Sequence, residues 1–289
     1  MLRVTWSRFQ QLADLVQNCL RRCGVSMKYF WSLALILFGS SPEPGVGQTT
    51  PQLRGAEKSS WYMYFGDHPI TKNYGVHLEA QYRAQGVGQE PTQFFVRPGF
   101  VRFYPHSIVV SLLYAYVLDF PFEGGPLADP RRTGVQPEQR LAEEFRWTHT
   151  LARYSGKRAT LQHRARLEQR WLGQSSKDVG VYDWHFAERF RYRVYAQFPL
   201  PFNTKGARPD YVAAYDEILL RFGPHSGTST IDQNRTYGAF GWKLSPEFNL
   251  EVGYLHQYFP RPNGYVGEHN NAFQLSIAST APLRKLFGR

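Results

Sequence analysis

Polar and apolar residues alternate through the segment 138–172, which is interrupted only at 155–157 by Ser-Gly-Lys. Every second position is charged or polar and the positions between are mostly apolar, as in the neighbours Arg146 and Trp147. Alternation with a period of two over about eight or more residues is typical of a strand. The pattern predicts a β-hairpin with one polar face and one apolar face.

The same period recurs along most of the chain, with no helical pattern of any length. It predicts eleven strand segments: Trp61–Phe65, Tyr74–Arg83, Gln93–Tyr104, Ile108–Leu118, Glu138–Arg153, Arg158–Leu172, Trp184–Phe198, Tyr211–Phe222, Ile231–Leu244, Phe248–Tyr258 and Ala272–Ser279. No internal linker separates them. A single β domain over 59–289 is expected.

Connection lengths indicate how the strands close. Tight connections largely alternate with long ones at 119–137, 173–183 and 259–271, as short periplasmic turns and longer outer loops do in membrane barrels. Such barrels have even strand numbers in single bacterial chains, so either 61–65 is not a full strand or one strand is missing from the count. The fold class predicted is all-β, an antiparallel transmembrane β-barrel of 10 or 12 strands.

The N-terminal region predicts export. An apolar run at 29–39 follows Met27-Lys28 and precedes small residues, which is typical of a signal peptide at 27–47. The run is too short for a membrane-spanning helix of about 20 residues. For 1–26 we prefer an upstream mis-start, the alternative being an extended n-region with Arg21-Arg22 as a weak twin-arginine signal. The expected organisation is a leader at 1–47 and a flexible lead at 48–58.

Cysteine use and charge narrow the function classes. Both cysteines, Cys19 and Cys23, lie in the predicted leader, so the mature chain would have neither a disulfide framework nor a thiolate metal site. Without residues 1–47 the chain keeps 29 basic and 21 acidic residues, a net charge of +8. Export, and arginines that alternate with aromatics along strands, argue against a nucleic-acid partner.

The polar faces of the strands predict a lumen lined by charge, and two acidic residues, Glu188 and Asp216, fall on the apolar side, which predicts a bulge or face switch nearby. We favour a structural network of paired charges over an anion-favouring constriction or ligand cradle built from Arg forks. The predicted lumen residues are Glu79, Arg97, Glu144, Arg146, Arg164, Arg166, Glu168, Arg170, Arg189, Arg191, Arg193, Glu217, Arg235 and Glu251.

The hairpin register sets which charges meet. If Tyr154 pairs with Arg158 across a three-residue loop, a common bulged type, Glu144 lies directly opposite Glu168. Like charges directly opposed are destabilising. The opposite charges are therefore expected on the diagonals or on the next strand.

Several sequence stretches resemble a bacterial family of unknown function described as predicted outer-membrane β-barrel proteins. The resemblance spans roughly 60–279 and implies a fold and a compartment, but no activity. The matching stretches are Trp61, 95–100, Glu144 with Trp147, 163–170, 189–193, 215–218, 232–235 and 250–254.

The favoured interpretation is an outer-membrane β-barrel of a Gram-negative bacterium, reached by Sec-type export, acting as a structural envelope component or a narrow conduit and not as an enzyme. Its expected partners are outer-membrane lipid, the barrel-assembly machinery during insertion and, for the conduit, a small anionic solute. No cofactor and no metal are expected. Trp61, Trp147, Trp171, Trp184 and Trp242 suggest interfacial aromatic girdles.

Two alternatives from other classes stay open. An outer-membrane lipid hydrolase or acyltransferase would have to use His149 and His163, with Ser155 at the turn, since no Ser, His and Asp spacing is diagnostic. A soluble periplasmic β-barrel binding a small acidic ligand would turn its arginines to solvent and its Phe and Leu residues to the core.

Overall fold

The computed structural model describes residues 52–54, 59–121, 133–154, 157–201, 208–222, 230–260 and 267–283. The predicted leader at 1–47 lies outside the described residues, as do most of 48–58 and the pair 155–156. The described chain is almost entirely β-structure, because the alternating pattern continues through every strand. The strands are β1 (Gln52–Arg54), β2 (Ser59–Pro69), β3 (Tyr74–Gln85), β4 (Glu90–Tyr104), β5 (Ile108–Asp119), β6 (Gln136–Tyr154), β7 (Lys157–Ser176), β8 (Gly180–Pro199), β9 (Tyr211–Phe222), β10 (Ile231–Lys243), β11 (Phe248–Pro260) and β12 (Gly267–Ser279).

Eleven strands close the barrel, rather than the ten or twelve that parity predicted. Strands β2 to β12 each pair antiparallel with the next, and β12 then pairs parallel with β2, 272–279 beside 59–66. The wall is therefore not purely antiparallel. The parity argument was wrong because it assumed that both chain ends lie at the same end of the barrel. Strand β1 also pairs parallel with β12, at 267–269, so it continues the line of β2 and adds no wall position.

The two ends of the barrel differ in their connections. We call the end where β12 finishes the lower end; it carries the β4–β5 turn at Pro105–Ser107, the turn at 244–247 and one longer connection at 200–210. The upper end, where β2 begins, carries the longest connection, 120–135. The predicted long loop at 173–183 is replaced by three residues, since β7 and β8 both extend further than the apolar pattern indicated.

The β6–β7 hairpin has a register different from the predicted one. Tyr154 lies opposite Lys157, so only two residues separate the strands. A bulge between Thr150 and Ala152 then shifts the pairing, which puts Glu144 directly opposite Arg166. The turn is one residue shorter than predicted, and the bulge leaves one further residue of β6 unpaired. Together they move the register by two residues.

Glu144 and Arg166 therefore meet directly, but Arg146 still lies opposite Arg164, and Arg140 lies opposite Arg170. The predicted diagonal and next-strand contacts also occur, Arg170 with Glu138 and Glu168 with Arg189.

The barrel has a polar inside and an apolar outside. Buried charged residues line the lumen along nearly every strand, whereas large apolar side chains stand exposed on the outer wall, among them Phe100 (73% exposed) and Tyr254 (57%). This arrangement is the reverse of the one that the soluble alternative required. Within the described residues, no helix has the length and hydropathy needed to cross a membrane.

Two polar patches interrupt the outer wall. Asp216 faces outward and accepts hydrogen bonds from Asn234 Nδ2 (3.1 Å) and Thr236 Oγ1 (3.0 Å). Glu188 lies opposite Gln169 on β7. The prediction was a bulge or a face switch nearby. No face switch occurs, because both residues keep the outward position that the alternation gives them, whereas β10, which pairs with the strand of Asp216, has a register shift between Ile231 and Gln233.

Candidate functional site

A layer of ion pairs fills the middle of the lumen around Glu168, whose side chain is fully buried on β7. Its carboxylate accepts hydrogen bonds from Arg189 Nη2 at 2.6 Å, Arg191 Nη1 at 3.0 Å and Arg97 Nη2 at 3.1 Å. Buried charges are costly unless they are paired and hydrogen-bonded. One carboxylate thus organises three guanidinium groups from two different strands.

Some of these contacts cross the lumen instead of running along the wall. Arg97 and Glu168 join β4 to β7, and Arg146 Nη2 reaches Asp67 Oδ2 at 2.5 Å, joining β6 to β2. Residues on strands three or four apart in an eleven-stranded barrel can meet only through its interior. We call the buried group of Glu79, Arg97, Glu144, Arg166, Glu168, Arg189, Arg191 and Glu217 the charge layer.

The other carboxylates of the charge layer repeat this pattern. Glu217 binds Arg191 (2.9 Å) and Arg164 (2.6 Å). Glu144 binds Arg166 across the hairpin and Arg146 at 2.9 Å. Each carboxylate therefore bridges at least two arginines, so removing one carboxylate would leave several buried cations without their partner.

A second cluster lies toward the upper end. Glu138 accepts hydrogen bonds from Arg140 Nε (2.6 Å) and Arg170 Nε (2.5 Å). Asp232 lies 3.0 Å from Arg189 and 3.0 Å from Arg221. The paired charges therefore continue upward from the middle of the lumen.

The lower part of the lumen holds a cavity of about 270 Å³, which we call the cup. It lies below the charge layer, and its lining reaches the lower rim at Thr280. One wall is aromatic and apolar, from β2 and β8 to β10: Trp61, Met63, Phe65, Tyr195, Tyr211, Tyr215 and Tyr237. The cup therefore combines a flat aromatic surface with charged groups, a composition typical of ligand pockets.

Trp61 was expected in an interfacial girdle, but it lies inside the lumen and is 4% exposed. The Arg83 guanidinium carbon stands 3.6 Å from the centre of the Trp61 ring, and that of Arg235 stands 5.4 Å away. Both distances are within the range of cation–π attraction. Trp147, Trp171 and Trp184 lie exposed on the outer wall.

Two charged groups in the cup have no partner of opposite charge among the described residues. Glu251 accepts hydrogen bonds from three tyrosine hydroxyls, those of Tyr195 (2.5 Å), Tyr211 (3.1 Å) and Tyr237 (3.4 Å). Arg193 donates only to Gln162 Oε1, at 3.1 Å. Arg83, outside the cup, likewise donates only to an amide, Gln81 Oε1 at 2.7 Å, and lies over the Trp61 ring. Within the cup, Arg193 and Glu251 differ from the paired charges around them.

The structure places the fourteen predicted lumen residues on the inner face of the wall, together with further charged residues that the prediction did not name. Asp67 and His77 lie 2.7 Å apart, Oδ1 to Nδ1, and Asp67 falls beyond the predicted end of its strand at Phe65. Glu138, Arg140, Arg221 and Asp232, in the upper cluster, were not predicted either. Glu138 and Arg140 could have been found, because they continue the even-numbered polar face of β6.

The residues proposed for an enzyme lie on the outer wall. The rings of His149 and His163 stack with centres 5.4 Å apart beside Trp147, and His163 Nδ1 contacts the Tyr192 hydroxyl at 2.7 Å. Ser155 falls outside the described residues. This is an aromatic surface cluster, and it adds no support to the hydrolase alternative. No group of three or more potential metal ligands occurs within the described ranges.

The fold and its interior define a class: a closed eleven-stranded β-barrel with a charge-filled lumen and a cup at one end. Residues 58–268 match the family described as "Protein of unknown function (DUF2490)", and since this is more than half of the chain, the protein belongs to that family. The match covers β2 to β11 in full and the first two residues of β12, and it begins after β1. No curated protein and no solved structure matches the chain.

Proposed function

We propose that this protein is an outer-membrane β-barrel whose lumen is closed by paired charges, and that it serves as a structural component of the envelope and not as an open channel. It would reach that membrane by Sec-type export, would be inserted by the barrel-assembly machinery and would have lipid as its neighbour.

The observation that carries the proposal is the reversed distribution of polarity. Exposed patches of large apolar side chains on a soluble monomer are rarely larger than a few hundred Å², yet here Phe, Leu, Trp and Tyr residues stand exposed on successive strands around the barrel. An apolar outer wall of this kind is suited to the hydrocarbon region of a membrane. Backbone groups there must be paired within the protein, and a closed barrel pairs them between its strands. Two outward Trp residues, Trp147 and Trp171, fit an interfacial belt.

The contents of the lumen favour a closed barrel over a conduit. Arg97, Glu168 and Arg166 are at most 2% exposed, and the ion pair of Arg97 with Glu168 joins β4 to β7 across the interior. An ion passing through would have to break several charge-assisted hydrogen bonds at once. A small anionic solute could therefore enter the cup but would not pass the charge layer.

Cell fractionation tests the location. We expect the protein in the outer-membrane fraction, extractable only with detergent, with a gel mobility that changes on boiling because the closed barrel resists unfolding in the cold sample. Soluble protein in the absence of detergent would refute the membrane assignment.

Planar-bilayer recording tests the closed lumen. We expect no steady current from the purified barrel at moderate voltages, with a boiled sample as the control for adventitious leaks. A steady current that scales with voltage, found only in the folded sample, would show a conduit and contradict the proposal.

A further inference from the structure

The cup contains a cationic donor, Arg193, and an anionic acceptor, Glu251. Neither charge is balanced by an opposite charge among the described residues. On the donor side, Arg193 faces Glu217 across β8 and β9. The Glu217 carboxylate is already held by Arg164 at 2.6 Å and Arg191 at 2.9 Å. Arg193 Nε is buried without a hydrogen-bond partner. Its guanidinium therefore keeps both charge and free donors.

The acceptor side lies on β11 and β12. Glu251 has only tyrosine hydroxyls as partners, so its negative charge is hydrogen-bonded but not balanced by a cation among the described residues. Gln274, which is 3% exposed, gives its amide nitrogen to Ser276 Oγ at 2.8 Å and leaves its Oε1 buried without a partner. Buried polar atoms usually have a partner. An unpaired acceptor on β12 and an uncompensated carboxylate on the adjacent β11, both lining the cup, indicate a place for a donor cation.

Tyrosine side chains separate the two sides. The Arg193 guanidinium carbon lies 5.7 Å from the ring centre of Tyr195, and the hydroxyl of that same tyrosine donates to Glu251. Arg193 also lies 5.4 Å from the ring of Tyr215, which stacks on Tyr237 at 4.8 Å. The opposite charges are therefore spaced by about one tyrosine side chain, along an aromatic wall.

We propose that the cup binds a small zwitterion, a molecule of the amino-acid class with one carboxylate, one ammonium group and an apolar or aromatic side group. The carboxylate would lie against Arg193, which can grip it bidentately. The ammonium group would lie between Glu251 and Gln274 Oε1, and the side group would pack on the tyrosines. This site lies within the barrel, so it does not depend on which membrane surrounds the wall.

Calorimetric titration of the purified, folded barrel in detergent tests the site with three matched probes: L-phenylalanine, phenethylamine, which lacks the carboxylate, and 3-phenylpropanoate, which lacks the ammonium group. We expect saturable binding of phenylalanine at one site per barrel. Each of the other two probes should bind at least about tenfold more weakly, because phenethylamine leaves Arg193 without a carboxylate and 3-phenylpropanoate leaves Glu251 without a cation.

Variants assign the two halves of the site. Arg193→Gln and Glu251→Gln should each weaken phenylalanine binding at least about tenfold. Arg158→Gln is the matched control, since Arg158 is exposed near the lower end, and it should leave binding unchanged. Heat-modifiable gel mobility checks that each variant is folded, and Tyr195→Phe provides a milder change that removes one hydroxyl from Glu251 and keeps the ring.

The outcomes separate cleanly. Equal binding of 3-phenylpropanoate and phenylalanine, with no effect of Glu251→Gln, would show a simple anion site and overturn the zwitterion assignment. Absence of saturable phenylalanine binding to folded protein would overturn the site altogether. Neither result would bear on the membrane location, which fractionation tests separately.

Discussion

The contribution of a single charged residue to the stability of this barrel depends on how many buried charges it pairs with. Glu168 is the clearest case, because it is fully buried and three arginines donate to it at 3.1 Å or less. Taking one partner from a buried ion pair is far more costly than never forming it, since the remaining charge stays buried without compensation. A neutral residue in place of Glu168 would thus leave three buried arginines close together without the carboxylate that they share.

Glu168→Gln is therefore expected to destabilise the folded barrel by about 3 kcal/mol or more. Urea unfolding of the refolded protein in detergent measures the change as a lower midpoint. Glu90→Gln provides the control, since Glu90 is exposed at the start of β4, and a change within about 0.5 kcal/mol is expected there. Equal midpoints for the wild type and Glu168→Gln would mean that the charge layer does not hold the barrel together.

At the scale of elements, the most unusual feature is the parallel pair between β12 and β2. All other neighbouring wall strands are antiparallel, and the pairing of 272–279 with 59–66 closes the barrel in register over eight residue pairs. Tyr64 and Ile277 lie directly opposite each other on this seam. Neighbouring strands are about 4.8 Å apart, a distance within the Cα range that a disulfide accepts.

The double variant Tyr64→Cys with Ile277→Cys, with Cys19 and Cys23 replaced by Ser, should form a disulfide on mild oxidation and run differently on a non-reducing gel. The control pair is Tyr64→Cys with Phe273→Cys, which is displaced by four residues, or about 13 Å along the strand. The control should stay reduced. Cross-linking of both pairs alike, or of neither, would contradict the parallel closure.

The pattern of the sequence predicted most elements of the fold but not their ends or closure. Period-two alternation gives each strand and each inward face, which is why all fourteen predicted lumen residues point inside. Register depends on turn length and bulges, and the bulge beside Thr150 leaves no mark in an alternating pattern. Closure depends on the pairing of the first and last strands, whose hydrogen bonds a one-dimensional pattern does not contain. The unpaired state of Arg193 and Glu251 likewise follows only from three-dimensional distances.

At the scale of the whole molecule, the odd number of strands separates the two ends of the barrel chain. Strand β2 begins at the upper end and β12 finishes at the lower end, so the first and last wall strands begin and finish at opposite ends of the barrel. In the proposed membrane, short turns belong in the periplasm and longer connections outside. The lower end, with the cup, would then face the periplasm, and the first barrel strand would start at the cell surface.

Cysteine labelling tests this orientation in living cells. Val179 (72% exposed) lies in the upper connection between β7 and β8, and Leu244 (61% exposed) lies in the lower turn between β10 and β11. In a chain with Cys19 and Cys23 replaced by Ser, a membrane-impermeant maleimide should label Val179→Cys on intact cells. It should reach Leu244→Cys only after the outer membrane is permeabilised, because the closed lumen offers the reagent no route. The opposite pattern would invert the barrel and turn the cup toward the outside, whereas equal labelling of both sites on intact cells would contradict either membrane placement.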